Sequence, residues 1–79
     1  MSIKEKEYDK DIKDVIRFVS QFKEIRTTTI QLQFQWGYNR VGRLFEQMEE
    51  LGIISSLNGA KPRDVLVNTE QAEVIINQL

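Results

Sequence analysis

Cysteine and histidine are both missing from this sequence of 79 residues. Without cysteine there is no disulfide and no thiolate metal site. Without histidine the commonest general base and the commonest metal ligand are gone as well, which leaves carboxylates, lysines and hydroxyls for any chemistry. An enzyme is therefore disfavoured, and neither a metal nor a cofactor is expected. Long apolar runs are absent too, and the N-terminus is a charged mixture rather than a signal peptide. The expectation is a soluble, cytoplasmic domain that makes no membrane contact. No GxxxxGK[ST] loop occurs, so the chain carries no P-loop motor. There is also no excess of basic charge: 11 Lys and Arg face 12 Asp and Glu, for a net charge of -1. Nucleic-acid-binding domains are more often basic overall, so such a role requires a local basic face.

What is present is periodicity. Tyr8, Ile12, Val15, Ile16, Val19 and Phe22 recur at three- and four-residue steps, which predicts a first amphipathic helix. Its polar face interleaves Lys10, Asp11, Lys13, Asp14 and Arg17 as a solvated surface; Asp9, Asp11 and Asp14 lack the glycine and distal glutamate of a calcium loop. The next segment, "TTTIQLQFQW", reads two ways. Ile30, Leu32, Phe34 and Trp36 alternate like a strand, yet Thr28 or Thr29 could cap a short helix connecting two stronger ones. Beyond it, Val41, Leu44, Phe45, Met48 and Leu51 form a helical stripe that Gly52 stops. On the same wheel Asn39, Arg43, Glu46 and Glu50 fall together, opposite that stripe. "GIIS" and "DVLV" then predict two short strands joined by a hairpin whose tip carries Asn58, Gly59, Lys61 and Arg63. Three helices and a two-stranded wing make an α+β domain of the winged helix-turn-helix type. "NTEQAEVIINQL" adds a C-terminal helix, capped by Asn68 or Thr69, with Ala72, Ile75, Ile76 and Leu79 apolar. The whole chain, 1–79, is expected to be one domain with its core in 8–67 and an added helix in 68–79.

"GYNRVGRLFEQMEELGII" followed by "GAKPRDVLV" resembles the C-terminal gamma domain of FtsK/SpoIIIE-type DNA translocases, whose typical form is close to GYNRAARLIEQLEEAGIV and then GxKPREVLV. The likeness runs from about Tyr8 to Val67. It implies a winged helix that binds double-stranded DNA and reads short, G-rich, polarised motifs. It further implies base contacts by Asn39, Arg43 and Glu46 and wing contacts by Lys61 and Arg63, and it makes the "TTTIQLQFQ" segment helical. The chain departs from the pattern at Leu32, Gln33 and Gln35, where basic residues are usual, so weaker backbone anchoring is expected. The added C-terminal helix could bind a protein partner or pack on the domain.

The charge distribution fits this reading independently of the family. From Ile25 through Phe45 there is no acidic residue, while Arg26, Arg40 and Arg43 are present. A recognition helix inserts its N-terminal part into the major groove, so Arg40 and Arg43 would enter while Glu49 and Glu50 leave. Glu46 can accept from the N4 amino group of cytosine and repel guanine O6 and N7. The phosphate set is then Arg40, Lys61, Arg63 and Thr28. The singled-out residues have plainer alternatives: Arg43 paired with Glu46 or Glu50, Asn39 as a helix cap, Trp36 in the core rather than stacked on a base, the wing cations as solubilising charges. The competing function is a winged-helix protein-interaction module, which the acidic pI near 5.4 and the lost basic residues favour.

Overall fold

The computed structural model describes residues 7–79. Four helices, α1 (Ile12–Val19), α2 (Thr27–Phe34), α3 (Tyr38–Glu50) and α4 (Thr69–Ile76), surround one buried cluster, and a small antiparallel sheet joins β1 (Glu24–Ile25) to β2 (Arg63–Asp64). The first helix begins later than its apolar pattern. Asp9 Oδ1 accepts from the Asp11 amide at 2.9 Å and the Asp9 carbonyl from the Ile12 amide at 3.0 Å, a turn that holds Tyr8 against the core outside the helix. Phe22 also lies outside α1, 37% exposed, with its ring 4.9 Å from Phe18.

The ambiguous segment is helical. Burial shows why its alternation misleads: Ile30 is fully buried, Phe34 four residues later is half-buried, and Leu32 between them is 74% exposed. Only the positions that share a helical face reach the core. Neither Thr28 nor Thr29 caps this helix. Arg26 occupies the N-cap without a side-chain cap bond, Thr28 lies in the first turn, and Gln35 ends the helix in the left-handed region at φ 61.

Val41, Leu44, Phe45 and Met48 bury one face of α3. Gly37 is its N-cap, so Asn39 sits inside the first turn. At the far end Gly52 takes φ 78, and the amides of Gly52 and Ile53 donate to the carbonyls of Glu49 (3.1 Å) and Met48 (2.9 Å). These two bonds define a Schellman motif, and the buried Met48 and Ile53 supply its hydrophobic contact.

The wing differs from the expected hairpin in its ladder. "GIIS" and "DVLV" do pair, through a single bridge between Ile54 and Val65 and through Ser55 N to Asp64 O (2.9 Å) and Leu66 N to Ile53 O (2.8 Å). The regular pairing, however, is between β2 and β1, with Glu24 opposite Asp64 and Ile25 opposite Arg63. Val65 N to Lys23 O (2.8 Å) continues that edge. The second wing segment is therefore held on both sides. At the tip, Lys61 N reaches Asn58 O at 3.3 Å, and Gly59 supplies φ 61 for the turn.

α4 packs on α1. Asn68 Oδ1 accepts from the Gln71 amide (2.8 Å) and Gln71 Oε1 from the Asn68 amide (2.9 Å), a reciprocal capping box. Ala72 and Ile76 enter the shared core, and Arg17 on α1 donates to Glu73 at 2.8 and 3.2 Å. No helix of the described residues is long and apolar enough to cross a membrane.

Candidate nucleic-acid interface

The exposed side of α3 faces a cleft whose opposite wall is the wing. Tyr38, Gly42 and Glu46, spaced four residues apart, line it from the helix; Leu57 and Lys61 line it from the wing, and Arg26 closes its end. The spacing puts the three helical positions on one stripe, beside the stripe that carries Asn39 and Arg43. Asn39, Arg43 and Glu46 are all exposed. Arg43 and Glu46 make no ion pair with each other, so the plainer account of them as mutually neutralising charges does not hold for that pair.

The basic residues divide into two groups. Arg40 donates to Asp9 at 2.9 and 2.8 Å and to Asp11 at 2.7 Å, and its guanidinium lies 3.6 Å from the Trp36 ring centroid. The hydrogen bonds to Asp9 raise the arginine's pKa further, and the same contact lowers the Asp9 carboxyl below its ordinary value. Arg63 donates to Glu49 Oε1 (3.0 Å) and to the Ser55 carbonyl (2.9 Å), and its side chain is 12% exposed. Both residues, expected along the phosphate backbone, thus have their charge taken by carboxylates of the chain. Arg43 and Lys61 have side chains with no such partner among the described residues. Among the described residues Arg26 donates only to the Ala60 carbonyl, at 3.3 Å, and so ties the N-cap of α2 to the wing tip while staying exposed.

Thr28 is exposed on the first turn of α2, whereas its neighbour Thr27 reaches the cleft. Tyr38 and Leu57, 67% and 70% exposed, were not among the residues expected at the site, and Arg26 was expected only as part of its general basic charge. The signal of Tyr38 and Leu57 in the sequence was faint: an aromatic at a helix start and an apolar residue in a polar turn. Trp36 is core-facing, stacked on Phe34 at 4.6 Å and 17°. No cluster of ligating side chains suited to a metal ion occurs among the described residues.

Four helices with a short sheet, and a cleft between the third helix and a basic-tipped hairpin, define a winged helix. A family model, the FtsK gamma domain, matches residues 6–68, and the chain belongs to that family. It is 36% identical over 70 residues to the DNA translocase FtsK of Clostridium tetani, covering 89% of this chain and 9% of that protein. It is 38% identical over 73 residues to the DNA translocase SftA of Bacillus subtilis, covering 92% of this chain and 7% of that protein. A further relative, the DNA translocase FtsK of Staphylococcus epidermidis, is 40% identical over 57 residues. The chain spans less than a tenth of the length of these relatives.

Proposed function

We propose that this domain binds duplex DNA sequence-specifically, with the N-terminal half of α3 in the major groove and the wing along the phosphates. The observation that carries this reading is the exposed stripe of Asn39, Arg43 and Glu46, in which the arginine and glutamate are not paired with each other, next to a cleft flanked by Arg26 and Lys61. Arg43, which has no carboxylate partner among the described residues, can present its fork to guanine O6 and N7, Asn39 can offer both a donor and an acceptor, and Glu46 can accept from cytosine N4. Lys61, Arg26 and Thr28 are assigned to phosphate, and Arg40 and Arg63 are removed from that set because their charges are satisfied internally. Tyr38 and Leu57 add apolar surface beside the reading stripe. The preferred site is a G-rich, polarised motif in cytoplasmic chromosomal DNA, and the domain orients a DNA translocase on it.

The test is selection of duplexes from a random library, followed by competition between the selected and a scrambled sequence across a salt series. Specific binding gives a preference for the selected duplex and an affinity that falls steeply with salt, because phosphate neutralisation releases counterions. Glu46→Gln is expected to raise affinity for scrambled DNA while relaxing discrimination. A second reading, a protein-interaction module, is favoured by the exposure of Leu32, Tyr38 and Leu57. Equal, salt-insensitive affinities for both duplexes would select it.

A further inference from the structure

We propose that Arg40 is a positioning residue, a clamp that sets the pose of the first turns of α3 from the segment preceding α1, and that Asp9 and Asp11 are its working partners. The functional consequence rests on the duplex-binding reading above; the clamp itself does not.

The geometry is that of a fixed joint. Both carboxylates grip one guanidinium with three bonds of 2.7 to 2.9 Å. The face of the same guanidinium rests on Trp36, which is stacked on Phe34, whose edge meets Phe18 on α1 at 5.7 Å. Gln47, two turns further along α3, accepts the Asp9 amide through Oε1 at 3.0 Å. Asp9 is thereby bonded to α3 at two points, and Asn39 and Arg43 stand on either side of Arg40 in the sequence. Only arginine fits this place, since a planar fork can serve two carboxylates and a ring at once where an ammonium cannot.

The alternative is that Arg40 is a phosphate ligand which the two aspartates merely mask. The two accounts predict opposite signs. In the chain carrying Asp9→Asn with Asp11→Asn, unmasking would raise affinity for every duplex and steepen the salt slope by about 0.9. The clamp predicts weaker binding to the selected duplex, by about tenfold, with the slope unchanged, although two negative charges have been removed. Asp11→Asn alone, which removes one of the three bonds, is expected to move affinity the same way by less. Arg40→Lys separates them again: a phosphate ligand tolerates it, a clamp does not.

Amide hydrogen exchange on the free protein supplies a readout that needs no DNA. In the doubly substituted chain the amides of Val41, Gly42 and Arg43 should exchange about tenfold faster, with those of α4 unchanged. Unchanged exchange at these three, or a gain in affinity, overturns the clamp. Failure of the unsubstituted domain to prefer any duplex would refute the binding reading and leave the exchange result to decide the clamp.

Discussion

Arg40 and Arg43 lie three residues apart on one helix, and their surroundings could hardly differ more. The first is gripped by Asp9 and Asp11 and laid on Trp36; the second projects into solvent with no partner among the described residues. The wing repeats the contrast across Pro62: Arg63 is tied to Glu49 and the Ser55 carbonyl, while Lys61 is exposed. A basic face is thus not the sum of the arginines and lysines near it. In each pair one cation is bound to a carboxylate of the scaffold and the other has no carboxylate partner among the described residues, so a net charge of -1 does not preclude a locally basic surface.

The contrast can be broken most severely at Arg63. Arg63→Ala leaves the Ser55 carbonyl and Glu49 without their donor and uncovers Phe45, whose ring centroid lies 5.6 Å from the guanidinium. A loss of about 2–3 kcal/mol in urea unfolding is expected, without a change in sequence preference. Arg43→Ala should do the reverse: stability within about 0.5 kcal/mol of the parent, and about 2 kcal/mol less binding to the selected duplex with little change on scrambled DNA. Gly42→Ala acts on the same helix through its backbone. Nothing lies within 4 Å of a Cβ added there, so the substitution should stabilise α3 by up to about 1 kcal/mol, read as a raised thermal midpoint. The smallest effect is in acid. The Asp9 carboxyl is lowered below its ordinary 3.8 by Arg40, so its stabilising share is complete above that value and disappears as pH falls through the lowered one. Asp9→Asn should abolish that part of the acid transition in a pH series of melts, and Arg43→Ala should leave it intact.

Local pattern was enough for α3 and α4. The stripe from Val41 to Leu51, the glycine stop and the Asn68 cap all act within a few residues, and the structure realises each of them. The same locality explains what could not be read. β1 has only two residues and exists because β2, almost forty positions away in the chain, lies beside it. The alternation around Ile30 imitated a strand because Leu32 and Phe34 are both apolar, although only one of them reaches the core. Which cations would be claimed by the scaffold depended on Asp9, 31 residues from Arg40, and on Glu49, 14 residues from Arg63. Residue type placed both arginines on the candidate interface, while contacts distant in sequence tie each of them to carboxylates of the chain. The exposure of Tyr38 and Leu57 likewise emerges only once the wing is folded against α3.

The double-sided attachment of the second wing segment has a mechanical meaning. Val65 is fastened to Lys23 on one edge, and the Asp64 carbonyl and Leu66 amide to Ser55 and Ile53 on the other. These bonds run across the strand, so a pull on the tip along the strand direction loads them together in shear instead of unzipping them one by one. Between Ser56 and Pro62 the main chain has a bond of its own, Lys61 N to Asn58 O, and no ladder partner. A tip that follows an uneven surface, mounted on a root that does not yield, transmits tension into the globule through β1 and the start of α2, where Arg26 already holds Ala60. The wing behaves less like a flap than like a short lanyard spliced into the hull.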